Sequence, residues 1–546
     1  NLTPPIPRPP HPSSLIPHPS SFLPPPMLPS QDQTPLLTAL AACGDRPHAA
    51  FYTPGHKRGQ GISAALAAVM GNAVFQVDLP ELPELDNLFA PEGVIRDAQA
   101  LAAAAFGAER TWFLANGSTC GIQAAVLATC KPGDKIVLPR NSHQAAIAAL
   151  ILSGAVPIFV QPDYDPDWGI AHSITAAGVA AALAQHPDAR AVMLLYPTYY
   201  GACGDVEAIA QLAHQHQIPL LVDEAHAAHF AFHPQLPISA LAAGADLTVQ
   251  SIHKTLGALT QASMLHLRSQ LIDPDQISRA LQLVQSTSPS YLLLASLDAA
   301  RHQVAQHGTP LLSQTLELAK IARDRLRQIP GLRVFAPHPS PGCLTLDPTR
   351  LTVDVSGLNL TGFRADELLH TQLGVTAELP GLHHLTFIIS IGNTREDIAQ
   401  LVKGFEILVS ESNMFDLTLP GSKANELTRQ PLFQKGFRKN SDESLKGRPN
   451  RAEAPIFSLP THSVSSQPLT PRDAFFAPTE TLAIEQTSDR IAAELVCPYP
   501  PGIPILIPGD RISTAALTFL QQVLAAGGVI TGCADTDLKT LKVVKQ

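Results

Sequence analysis

Charged side chains are scarce in this chain. Asp, Glu, Lys and Arg make up 15% of the 546 residues, against 45% hydrophobic ones, so most of it is expected to be globular. The net charge of -9 carries no overall nucleic-acid or membrane signature. Cysteines are few: seven, odd in number, scattered, with no C-x-x-C pair. That speaks against a disulfide framework or a metal site and for reduced thiols in a cytoplasmic protein. Long apolar runs are lacking too. Ala145 to Val160 is broken by Ser153, Gly154 and Pro157, short of the roughly 18 to 20 residues that cross a bilayer. No internal repeat is evident. Twelve prolines fall in the first thirty positions, a composition expected to stay extended or disordered. That stretch lacks the apolar core of a signal peptide and the Arg-rich pattern of a transit peptide. A first residue Asn1 rather than methionine is what a truncated or processed chain would show.

What is present from about 34 to 410 is an α/β pattern. Lys135–Leu138, Val156–Val160, Val192–Leu195 and Leu220–Val222 are short apolar runs separated by Ala-rich helical stretches. Continuous apolar strands alternating with helices imply a mostly parallel sheet covered on both faces. Ligands then sit at the carboxyl ends of its strands. The expected organisation is a Pro-rich segment 1–33, a major domain 34–300, a small α/β domain 301–412, a polar stretch 413–477, and a small α+β C-terminal domain 478–546. The polar stretch carries Lys435, Arg438, Lys439, Lys446, Arg448 and Arg451. It reads as a solvated linker or insertion, or as a basic docking segment for an acidic partner.

The chemistry rests on two short segments. In Ser251-Ile252-His253-Lys254, a lysine follows a strand and precedes a small apolar stretch. That setting suits a desolvated amine, able to hold the aldehyde of pyridoxal 5′-phosphate (PLP) as a Schiff base. In Leu221-Val222-Asp223-Glu224-Ala225-His226, Asp223 ends a neighbouring strand. There it can pair with a protonated pyridine nitrogen and keep the ring an electron sink. The competing readings are a solvated lysine and a helix-capping aspartate. Asn116-Gly117-Ser118-Thr119 lies between a strand and a helix; Gly117 permits close approach, and Ser118 and Thr119 add donors to a phosphate cup. Plain capping is the alternative for those hydroxyls. His143 follows the next strand and could stack on the ring or serve as an ordinary structural histidine. His226 can orient Asp223 or the ring oxygen, Ser251 can reach the phosphate, and His253 is placed to move a proton.

With these residues in hand, the chain resembles the bacterial Orn/Lys/Arg decarboxylases. The matching segments are Tyr52-Thr53-Pro54-Gly55-His56-Lys57, Asp78-Leu79-Pro80-Glu81-Leu82, Asn116–Thr119, Arg140–His143, Asp223–His226, Ser251–Lys254, Gln261–Ser263, Ser286–Tyr291 and the run Pro498 to Gly509. The resemblance covers about 34–410 and 478–546, and is to short members without an N-terminal receiver-like domain. It implies a fold-type-I PLP-dependent transferase-like architecture and α-decarboxylation of a basic L-amino acid. It also implies Lys254, Asp223, His143 and His253 as catalytic residues. Ser118, Thr119, Ser251 and His253 would line the phosphate and Schiff-base region. Thr287 and Ser288 would approach the partner subunit's cofactor in a homodimer. The substrate's far cation needs an anion, for which Glu81, Glu84, Asp86, Glu378 and Asp510 are candidates. Asp510 stands where the resemblance leads one to expect glutamate. An aminotransferase or a non-catalytic PLP-binding protein are the competing readings, since one scaffold hosts many reactions.

Overall fold

The structure, a computed structural model, describes residues 30–336, 339–415, 469–499 and 502–546. Its centre is a seven-stranded sheet of β1 (Arg110–Leu114), β2 (Lys135–Pro139), β3 (Val156–Val160), β4 (Ala191–Leu195), β5 (Leu220–Asp223), β6 (Leu247–Gln250) and β7 (Ser263–Leu267). The order across the sheet is β1-β7-β6-β5-β4-β2-β3. Only β7 runs against the rest, antiparallel to both β1 and β6. Every residue of β4 and β5 is buried, the mark of strands covered on both faces. One face packs on a cluster that includes Ile122, Val126 and Leu150 from helices α2 (Gly117–Thr129) and α3 (Gln144–Ser153). The other packs on Val179, Leu183 and Ile209.

Helix α2 lies unusually close to the sheet. A Cβ on Gly121 would stand 2.6 Å from Val249 Cγ1 and 2.7 Å from Leu114 Cδ1, so only glycine admits this approach. The approach brings the first turn of α2 to the carboxyl ends of β1 and β6.

A 36-residue helix, α5 (Tyr291–Leu326), runs out of the major domain. A four-stranded sheet packs on its far end, ordered β8 (Arg333–Val334), β9 (Arg350–Asp354), β11 (His384–Ile388), β10 (Leu379–Pro380). The boundary expected at 300/301 therefore falls inside one continuous helix. At its near end, buried Asp298 accepts from the Leu36 and Leu37 amides, and Arg301 donates to the Gln31 and Gln33 carbonyls. These contacts fasten the segment leading into α1 (Pro35–Asp45).

The C-terminal unit pairs Thr479–Ala483 with Thr540–Val544, and Cys497–Tyr499 with Val529–Thr531. It has its own core of Leu506, Leu520, Ile530 and Val543. Helix Pro471–Phe476 lies within the stretch read as linker, yet it is docked: Arg472 donates to the carbonyls of Ile151 and Leu152, both at 2.8 Å. The basic cluster Lys435 to Arg451 and the proline-dense start lie outside the described residues. Among the described residues no helix is long and apolar enough to cross a membrane.

Candidate active site

The sheet delivers its chemistry along one edge. Asp223 is the last residue of β5, and Tyr196–Tyr199 and Asn141–His143 follow β4 and β2 directly. Just past β6, the one-turn helix α4 (Ile252–Thr255) carries Lys254. In a parallel sheet all these ends meet on the same side.

Lys254 Nζ lies 3.0 Å from His226 Nε2. His226 Nδ1 is 3.0 Å from a guanidinium nitrogen of Arg350, which also donates to the His226 carbonyl at 3.0 Å. The Tyr199 ring lies 4.4 Å from that of His226, centroid to centroid, and 5.7 Å from Lys254 Nζ. Burial pushes the Lys254 amine below its ordinary range, although Asp223 and Glu378 pull the other way. Burial pushes His226 well below its ordinary range too, helped by the Lys254 and Arg350 charges. It raises Asp223, against the pull of Lys254 and of the Ala225 amide that donates to it at 3.2 Å. A cation set against that carboxylate would stabilise its charged form.

The helix start of α2 forms a second sub-site. Gly117 has φ +77°, and Asn116 offers no side-chain cap, so the first amides of the helix stay open to a ligand. Ser251 Oγ donates to Ser118 Oγ at 2.9 Å, and Thr119 is exposed beside them. A buried carboxylate, a desolvated amine and an uncapped helix start are the fittings that PLP needs for its ring nitrogen, aldehyde and phosphate. The residues fit the group.

His143 accepts the Ala145 amide on Nδ1 at 3.2 Å, capping α3, and burial holds its pKa down at about 4. It is thus a neutral ring at neutral pH. Its other face meets the C-terminal unit: Gln144 donates its amide to the Gly502 carbonyl at 3.1 Å, and a Cβ on Gly502 would come within 3.3 Å of His143 Nε2. His253 donates from Nδ1 to the Ala262 carbonyl at 3.0 Å, leaving Nε2 bare.

Not every expected residue joins this cluster. Thr287 and Ser288 are exposed, and the chain beside them meets the start of α2 where Gln285 Oε1 accepts the Ala115 amide at 2.9 Å and the Ser286 amide donates to Asn116 Oδ1 at 3.3 Å. Four of the five acid candidates are engaged elsewhere. Asp510 is fully buried against Arg140 at 2.9 Å and also accepts the Ile507 amide. Asp86 collects backbone amides from Asn87 to Arg96. Glu84 pairs with Arg46, and Glu81 accepts from Asn87 at 2.8 Å. Glu378 alone among the five acts on the site, since its field reaches Lys254, Arg350 and Tyr199 while its side chain stays exposed.

Three contributors escape a reading of the sequence. Tyr199 follows β4 at the ligand-bearing end, and the strand-end rule would have flagged it. Arg350 opens a strand of the small domain and offers no local signal. Gly502 lies in the matched C-terminal run, but nothing local says that it meets His143.

Comparisons with known proteins bear on the family and the fold. Residues 34–397 match the family model for the Orn/Lys/Arg decarboxylase major domain, and residues 460–534 match that for its C-terminal domain. An arginine decarboxylase of Bacillus subtilis is 38% identical over 519 residues, covering 95% of this chain and 99% of that protein. One from Bacillus anthracis is 37% identical over 522 residues, covering 95% and 98%. The solved lysine decarboxylase of Francisella novicida superposes with a TM-score of 0.75 at 21% identity, covering 94% of this chain and 81% of that one. At that identity the likeness speaks for the fold alone.

Proposed function

This chain belongs to the Orn/Lys/Arg decarboxylase family, a PLP-dependent group acting on basic amino acids, and from that premise we propose that it decarboxylates L-arginine. The observation that carries the reading is the meeting of Lys254, His226 and Asp223 at one sheet edge above an uncapped helix start. The choice of arginine over lysine or ornithine is supported by names. Relatives 36 to 38% identical to this chain are called arginine decarboxylases, and those called lysine decarboxylases are 24 to 25% identical.

In this reading Lys254 would anchor PLP, Asp223 would pair with its ring nitrogen, His143 would pack on the ring, His226 would serve the ring oxygen, and Gly117, Ser118, Thr119 and Ser251 would hold the phosphate. When bound, PLP supplies an aldehyde for the substrate amine and a ring that accepts the electron pair left by departing CO2. The chain's own groups do the rest. His143, kept neutral, adds no charge beside the ring. Lys254 Nζ in its ammonium form delivers the proton to Cα, and His253 on the same helical turn can do so only as an imidazolium, because its neutral form leaves Nε2 bare. Glu378 receives the guanidinium at the mouth of the cleft, and the Gly502 segment limits water beside His143.

A homodimer belongs to the same reading. It is supported by helix Ala64–Met70, which buries none of its residues, and by the exposed Phe51, Val69 and Met70. Thr287 and Ser288 would face the partner's site. A cytoplasmic location is supported by seven free cysteines.

The test offers L-arginine, L-lysine and L-ornithine separately to PLP-loaded protein and measures CO2. Release from arginine, lost in Lys254→Ala, is the expected result. Release from lysine or ornithine instead moves the substrate; keto acid without CO2 moves the reaction to transamination.

A further inference from the structure

Arg350, His226 and Lys254 stand in line, and the chemistry of their hydrogen bonds leaves little freedom. A guanidinium has five N–H donors and no acceptor. At 3.0 Å from Arg350, His226 Nδ1 can therefore only accept. A neutral imidazole carries one proton, which must then sit on Nε2. That N–H points at Lys254 Nζ, 3.0 Å away. A hydrogen bond there needs a lone pair on the lysine nitrogen, which an ammonium does not have. We propose that Arg350 is a positioning residue acting through His226: it fixes the Nε2–H tautomer and so holds Lys254 as the free amine, ready to attack an aldehyde.

The alternatives are each blocked. An ammonium on Lys254 would need a bare Nε2, hence a proton on Nδ1, facing an Arg350 N–H donor to donor. An imidazolium would place a third cation between two others in a buried site, and burial already drives His226 well below its ordinary range. The guanidinium cannot turn aside without also losing its bond to the His226 carbonyl. Its side chain lies against the Gly201 backbone, where a Cβ would come within 2.9 Å of Arg350 Cβ and Cγ. Its charge is met by Asp347, 4.0 Å away, which stays ionised: burial opposes this, but His229, Arg350 and Thr349 hold its pKa at about 2.

The groups around the lysine come from every element packed on it. His253 shares its helix, Asp223 and His226 follow from β5, and Tyr199 comes from the end of β4. His143 caps α3, Arg350 opens β9, and Glu378 precedes β10. Asp223 and Glu378 favour the ammonium, while burial and Arg350 oppose it. The rival account is that Arg350 acts by its charge alone, with the imidazole a bystander.

The proposal rests on Lys254 being the reacting amine, and its test uses neither cofactor nor substrate. The full-length chain, freed of PLP, is methylated with formaldehyde and cyanoborohydride across pH, and Lys254 is read by peptide mass. Arg350→Met is expected to raise the pH midpoint for Lys254 by about one unit, while Arg350→Lys, a donor without acceptor, keeps it low. In a His226→Phe background, Arg350→Met adds nothing further. An unchanged midpoint in Arg350→Met, or a full shift persisting without His226, overturns the proposal. Should Arg350→Met not fold, the 15N shifts of His226 in the unsubstituted chain decide. A protonated Nε2 with a bare Nδ1 is expected, and the reverse overturns it. Absence of CO2 from any basic amino acid would sink the decarboxylase reading and leave both readouts intact.

Discussion

Two arginines lie fully buried on either side of the site, and they are used in opposite ways. Arg140 donates to the Pro504 and Ile505 carbonyls and to Asp510, each at 2.9 Å, and stacks on Phe159. These three bonds join the C-terminal unit to the strand that precedes His143. Arg350 is buried as deeply, yet its Nε and Nη1 have no hydrogen-bond partner and its remaining nitrogen is spent on His226. Burial lowers its pKa, and Asp347 and Glu378 oppose that. A guanidinium tied to two carbonyls and a carboxylate is a fastening, and its removal is felt by the fold. One with donors left over is held in place for the group it faces, and its removal is felt by that group's protonation.

The strongest way to break the contrast is Arg140→Met. It leaves the buried Asp510 carboxylate without its Arg140 counter-charge, so unfolding stability should fall by about 3–5 kcal/mol. The urea midpoint checks this. The double change Arg140→Met with Asp510→Leu should recover most of the loss, because it removes both charges. A recovery confined to Lys254 reactivity, with no change in stability, would erase the distinction between the two arginines.

A sharper probe is a buried group with no partner that lies away from the reacting amine. Neither ring nitrogen of His384 has a hydrogen-bond partner, and burial holds it at about 4. Its folded pKa lies below the unfolded value near 6.5, so stability is intact above pH 6.5 and drains as pH falls towards 4. His384→Phe should therefore gain about 2 kcal/mol at pH 5 relative to pH 8, measured by denaturant unfolding at both. The pH profile of Lys254 should not move. If it does, lacking partners is itself what couples a buried group to the site.

Glu378 gives the smallest effect. Because its side chain is exposed, Glu378→Gln should raise KM for arginine about tenfold and leave kcat nearly unchanged, as for a contact made equally in ground and transition states. A kcat loss as large as the KM change would place Glu378 in the chemical step.

The same contrast explains what the sequence could say. Asp223 ends a strand and Lys254, His143 and Ser118 each follow one by a few residues, so strand, turn and reactive group are readable in one short window. The parallel sheet then brings the windows together without help from any other part of the chain. Arg350 lies 124 positions from His226, in a segment that reads as an ordinary strand start, and only the packing of a second domain gives it a role. Asp510 was legible as the residue that follows a matched run, but its side chain turns inward to Arg140, and no local pattern distinguishes a clamp from a substrate ligand. Thr287 and Ser288 are exposed in the single chain, so their expected role depends on a surface this chain does not itself supply.

Helix Tyr291–Leu326 sets the terms on which parts of this molecule can be exchanged with those of relatives. Its first turns grip the segment Gln31 to Leu37 through Asp298 and Arg301, and its last turns supply Leu318, Ala322 and Leu326 to the small-domain core. A chimaera joined at residue 300 would mismatch both ends at once. A functional graft has to carry the whole rod, together with the short stretch before α1 that it holds.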